Sequence, residues 1–113
     1  MLYISDLDGT LLDSKGMLTN FTIKTVREFI DDGGLFTIAS ARSIFTAGDF
    51  IRQLGIRIPV ILRNGAFIYE PESGKVIESR LMSHGELYDV MEFFLERDVH
   101  PILHHIENGE FRV

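Results

Sequence analysis

The sequence predicts an α/β fold: a Rossmann-like parallel sheet with helices on its faces, then a β-hairpin and the start of a second α/β segment. Two observations carry this. Residues 1–62 alternate strand, helix, strand, helix, strand, an order that favours parallel strands joined by crossover helices. Polar residues able to do chemistry gather just after the first two strands, at the carboxyl ends where open sheets of this kind bind ligands.

The elements follow in order. Met1 to Ser5 (Met-Leu-Tyr-Ile-Ser) is short, apolar and rich in strand formers. Asp6-Leu7-Asp8-Gly9-Thr10 comes next, and Gly9 permits a sharp turn. Residues 11–18 read as loop. Thr19 or Asn20 can cap a helix whose inner face carries Ile23, Val26 and Ile30, and Gly33-Gly34 ends it. Leu35 to Ala39 is a second strand. Ile44, Ala47, Ile51 and Leu54 recur at helical spacing, with Gly55 closing the helix. Pro59 to Leu62 is a third strand. Asn64-Gly65 is a turn dipeptide, and Ala66–Tyr69 and Lys75–Glu78 return antiparallel around the turn at 71–74. Ser83 and Glu86 form a capping box at the head of an amphipathic helix with Leu87, Val90, Met91 and Phe94. Phe93 and Phe94 read as core. Residues 99–106 look like a strand, and Glu107-Asn108-Gly109-Glu110 like a hairpin turn.

Composition narrows the function. The chain has 113 residues, 45% hydrophobic and 25% charged, which suits a globular domain rather than a disordered segment. No apolar run approaches the ~20 residues of a membrane helix, and the acidic N-terminus is no signal peptide. Neither membrane nor nucleic acid is an expected partner, since net charge is −6 and the basic residues form no stripe. The absence of cysteine fits a cytoplasmic protein.

Asp6 and Asp8 carry the chemistry. In an extended segment, residues two apart point to the same side, so the carboxylates repel unless a cation or a proton intervenes. Magnesium accepts hard oxygens from one or two carboxylates, with phosphate and water completing its shell. A carboxylate beside it can attack phosphorus, and a second, held protonated, can serve as general acid. Gly9 lets backbone N–H groups turn toward an anion. A plain loop rich in turn formers is the alternative. An EF-hand is excluded, because Leu11 and Met17 stand where glycine and glutamate are required. The four histidines, His84, His100, His104 and His105, read as surface or packing residues rather than a metal cluster.

The run Asp6-Leu7-Asp8-Gly9-Thr10-Leu11-Leu12-Asp13 resembles the first motif of the haloacid dehalogenase superfamily, at the end of the first strand as that family has it. The resemblance implies that Asp6 is nucleophile and magnesium ligand. It makes Asp8 the general acid/base, giving its backbone carbonyl to the metal, and Thr10 a support of the turn. Ser40-Ala41-Arg42 is similar to the Thr-Gly-Arg of the Cof-type sugar-phosphatase branch. There the hydroxyl holds the phosphate, which implies that role for Ser40, with the Ala41 N–H facing the same group. Arg42 either contacts substrate or lies solvated. Asn64-Gly65-Ala66 also resembles that branch, with Asn64 near the substrate; a simple hairpin turn is the other reading. On this resemblance residues 1–80 are a haloacid dehalogenase-like core, and residues 81–113 begin an α/β cap.

Two later motifs of the family have no match. The lysines are Lys15, Lys24 and Lys75, none in the matching position. Gly48-Asp49 is followed by Gln53 where the second acid of Gly-Asp-x-x-x-Asp belongs. The chain is therefore expected to be an N-terminal portion, with an open edge on the third strand that invites a homodimer or a complementing C-terminal chain. Two functions follow. One is a magnesium-dependent phosphatase acting on a small phosphorylated metabolite, a sugar phosphate first. The other is a catalytically incomplete relative that binds phosphate or a partner.

Overall fold

The computed structural model describes residues 1–108 and 110–112. The chain divides into two units, Met1–Ser79 and Arg80–Val113.

In the first unit, β1 (Leu2–Ser5) pairs in parallel with β2 (Leu35–Ile38), Leu2 opposite Leu35 through Ser5 opposite Ile38. Between them runs α1 (Asn20–Asp31), capped by the Thr19 hydroxyl, which accepts from the Thr22 N–H. Gly33 continues the chain at φ 88°. The second crossover is α2 (Ile44–Leu54), which ends on Gly55 at φ 71°. This left-handed residue is the usual glycine solution at a helix end. β3 (Val60–Leu62) follows, then the hairpin β4 (Phe67–Glu70) and β5 (Lys75–Ser79).

The third strand differs from expectation. It joins the parallel pair through a single bridge, Ala39 opposite Ile61, and its full pairing is antiparallel, with β4. The hairpin folds straight back after Leu62 and occupies the edge expected to be open. Among the described residues of this unit, β1 and β5 are the outermost strands.

The fully buried side chains are Leu7 of the turn after β1, Ile38 of β2, Leu54 of α2, and Val60 and Leu62 of β3. Each contributes about 1.5–3 kcal/mol of burial, opposed by chain entropy. Thr37 is also buried, and its hydroxyl donates to the Pro59 carbonyl at 2.6 Å, tying β2 to the approach of β3.

The second unit holds α3 (His84–Leu95), with the Ser83/Glu86 capping box formed in both directions, and a pair of short antiparallel strands, β6 (His105–Glu107) and β7 (Glu110–Arg112). The strand expected over 99–106 is confined to its end, since Pro101 cannot donate to a ladder. Gly109 of the expected turn lies outside the described residues. Phe93, expected in a core, is 52% exposed. Its ring lies edge-on to Phe94 and carries the Arg97 guanidinium 3.7 Å from its centroid. No helix among the described residues is long and apolar enough to cross a membrane.

Candidate active site

The site grows from the carboxyl ends of β1, β2 and β3. After Ser5 the chain enters a tight turn, residues 7–11, closed by the Leu12 N–H donating to the Leu7 carbonyl at 2.9 Å. Leu7 is fully buried and anchors this turn, while its neighbours Asp6 and Asp8 are exposed. The Asp6 carboxylate accepts from the Leu7 N–H at 2.7 Å. Gly9 has φ 76°, a left-handed position that would strain a residue with a side chain.

The sheet's hydrogen bonding runs on past the strand ends. The Ala39 N–H donates to the Ser5 carbonyl and the Ser40 N–H to the Ile61 carbonyl, both at 2.9 Å. Ser40 is 5% exposed, and its hydroxyl accepts from the Arg42 N–H at 3.2 Å. Beyond β3, three successive residues take positive φ: Arg63, Asn64 and Gly65. Their turn is tied back by the Arg63 N–H to the Arg42 carbonyl and the Asn64 N–H to the Ser40 carbonyl, both 3.2 Å.

These loops enclose an open cavity of about 510 Å³. Of the residues singled out from sequence, Asp6, Asp8, Ser40, Ala41 and Asn64 line it, whereas Gly9 and Arg42 do not. Five further lining residues were not singled out: Ile4, Ser5, Ala39, Ile61 and Gly65. The signal for them was available, since all sit at or beside a strand's carboxyl end.

Arg42 reaches across to the first loop instead. Its Nε and Nη2 donate to the two Asp8 carboxylate oxygens at 2.8 and 2.6 Å. Those hydrogen bonds hold the Asp8 carboxyl below its usual range, with desolvation opposing them, and raise the Arg42 guanidinium. As found, Asp8 is the ionised carboxylate, paired with Arg42.

Among the described residues, no three histidines, cysteines, aspartates or glutamates come together as a metal cluster. The cavity instead offers Asp6 and Asp8, hard oxygen donors that fit magnesium, which is completed by water and phosphate, and do not fit a tetrahedral zinc site. With the Asp8 carboxylate engaged by Arg42, the Asp6 carboxylate is the other side-chain oxygen donor of the pair on the cavity.

Comparison with known proteins gives a consistent picture. A family model described as haloacid dehalogenase-like hydrolase matches residues 3–110. Phosphatase YwpJ of Bacillus subtilis is 32% identical over 88 residues, 78% of this chain and 30% of that protein. 5-Amino-6-(5-phospho-D-ribitylamino)uracil phosphatase YitU of the same organism is 31% identical over 67 residues, 59% of this chain and 25% of that one. A solved haloacid dehalogenase-like hydrolase from B. subtilis superposes with a TM-score of 0.72 at 30% identity, over 87% of this chain and 34% of that structure. The chain thus spans 25–42% of the length of the curated relatives it resembles.

Proposed function

The chain belongs to the haloacid dehalogenase-like hydrolase family, and we propose that it carries the nucleophile end of a magnesium-dependent phosphatase working through a phosphoaspartate on Asp6. The observation that carries this reading is the single cavity lined by Asp6, Asp8, Ser40 and Asn64 at the strand ends. The substrate we assign is a small phosphorylated metabolite, with sugar phosphates favoured. The relative named for a phosphoribitylamino uracil supports that class.

In the first step an Asp6 carboxylate oxygen attacks phosphorus and the ester P–O bond breaks. The leaving oxygen takes a proton from Asp8, which stands in the structure as the carboxylate paired with Arg42 and must first take up that proton. In the second step water attacks the acyl phosphate, its proton passes to the Asp8 carboxylate, and the bond between phosphorus and Asp6 breaks to release inorganic phosphate. In this reading Ser40, which lines the cavity, holds a phosphate oxygen through its hydroxyl. The Ala41 N–H and the Asn64 amide are further donors along the cavity. When bound, magnesium would be held by the Asp6 carboxylate and the Asp8 carbonyl, and would supply positive charge against the phosphate dianion.

The lysine and the second acidic pair of the family pattern are not among these residues. The remaining length of a protein such as the relatives, or a partner chain pairing along the β1 edge, would supply them. A cysteine-free chain serving phosphorylated metabolites suits the cytoplasm. The lack of a third acid near the pair, among the described residues, favours a second reading for the chain by itself, a phosphate- or partner-binding module. Hydrolysis of an aryl phosphate with excess magnesium, comparing the chain with Asp6→Asn, separates the two. Turnover abolished by the substitution supports the nucleophile; a rate no higher than the variant's leaves the binding module.

A further inference from the structure

Arg42 is held at every part of its side chain. Two N–H groups grip both Asp8 oxygens, a third donates to the Thr46 carbonyl at 3.4 Å, and the guanidinium lies 5.2 Å from the centroid of the buried Phe50 ring. The side chain is only 28% exposed, and it does not line the cavity. Its backbone serves the other two loops: the N–H meets the Ser40 hydroxyl and the carbonyl accepts from Arg63. One residue therefore ties together the loops after β1, β2 and β3, and only the tie to the first loop is made by its side chain.

We infer that Arg42 is a positioning residue that fixes the orientation of the Asp8 carboxylate at the rim of the cavity, rather than a ligand of the substrate phosphate. This rests on the phosphatase reading above. The chemistry favours it. A planar guanidinium grips a carboxylate through two parallel hydrogen bonds and so sets its rotation as well as its place, which a lysine cannot do. Phe50 and the Thr46 carbonyl hold that guanidinium in turn, so it is directed before any ligand arrives. An arginine reserved for phosphate would be expected to face the cavity, and this one faces Asp8.

The test has two arms on the 113-residue chain. The first is the Arg42 Nε–H resonance, expected to be resolved and slow to exchange in the wild type and in Asp6→Ala, and lost in Asp8→Ala. A resonance that survives in Asp8→Ala overturns the proposal. The second is aryl phosphate turnover with magnesium in Arg42→Ala and Arg42→Lys. Misplacing a catalytic group by an ångström costs roughly 10²-fold, so kcat should fall by about that factor in Arg42→Ala with KM unchanged within about twofold. Arg42→Lys should recover little, and free guanidinium ion below denaturing concentration should restore part of the alanine variant's rate. A raised KM at unchanged kcat would place Arg42 on the substrate and overturn the proposal, as would no effect on either constant. If the wild-type chain hydrolyses nothing, the phosphatase reading of this chain fails, and the resonance arm still decides the positioning role.

Discussion

Gly34→Ala should destabilise the first unit, and should do so through one aromatic ring. A Cβ at this position would stand under 3.0 Å from three carbons of the Phe29 ring. Ordinary carbon contacts are about 3.5–4.0 Å, so the ring must move by roughly an ångström. It can, being only partly buried. What it loses is its edge-to-face contact with Tyr3, at 5.3 Å between centroids, worth about 0.5–1.5 kcal/mol, together with part of its burial. Gly34 has no positive φ, so alanine fits the backbone, and reduced freedom of the unfolded chain returns about 0.4–1 kcal/mol. The balance is a loss of about 1–2 kcal/mol, or roughly 4–16 °C in Tm for a unit of this size. Urea unfolding of Gly34→Ala alone and in a Phe29→Ala background supplies the check. Without the ring only the entropic gain remains, so the same substitution should become stabilising. Destabilisation of equal size in both backgrounds would refute the reasoning, because the ring would then not be the obstacle.

Other substitutions probe other ties. Thr37→Val keeps the shape of a buried side chain but removes its bond to the Pro59 carbonyl, and should cost about 1–2 kcal/mol by chemical denaturation. Arg27 donates from α1 to the Gln53 and Arg52 carbonyls at the end of α2, at 2.7 and 3.0 Å. Arg27→Met, which keeps the stem, should cost about 1 kcal/mol, discounted for exposure. The Ser83 N–H and hydroxyl hold the Glu86 carboxyl below its usual range. A depressed folded pKa contributes stability above the unfolded value that is lost as pH falls through the folded one. The α3 N-terminus should therefore loosen in acid, seen as a shift of the Ser83 amide resonance, and Glu86→Gln should remove that titration.

Much of this was legible in the sequence because it is local. Thr19, Ser83 with Glu86, and Gly55 each act within a few residues of themselves, and the strand–helix alternation set the parallel pair β1–β2. What stayed hidden was long-range or backbone-borne. The partner of Arg42 lies 34 residues away and that of Thr37 lies 22, distances at which spacing carries no information. The third strand meets the end of β2 through one parallel bridge and pairs antiparallel with β4 on its other edge, a mixed arrangement that no periodicity specifies. Asn64-Gly65 marked a turn, but not that Arg63 would share its left-handed conformation.

That turn bears on the site directly. Arg63 at φ 51° and Asn64 at φ 55° each accept a conformation that costs a side-chain-bearing residue about 1–2 kcal/mol. Asparagine tolerates it better than most, and two backbone bonds to the Ser40–Arg42 loop offset the rest. The strain places Asn64 on the cavity wall. Asn64→Gly and Asn64→Ala remove the same amide, yet glycine relieves the backbone and alanine does not. Alanine should therefore be the less stable of the two by about 1 kcal/mol. If the amide contacts substrate, both should raise KM for an aryl phosphate to the same extent. A KM that tracks stability instead, high in alanine and normal in glycine, would mean that the turn's backbone matters to the cavity and the Asn64 side chain does not.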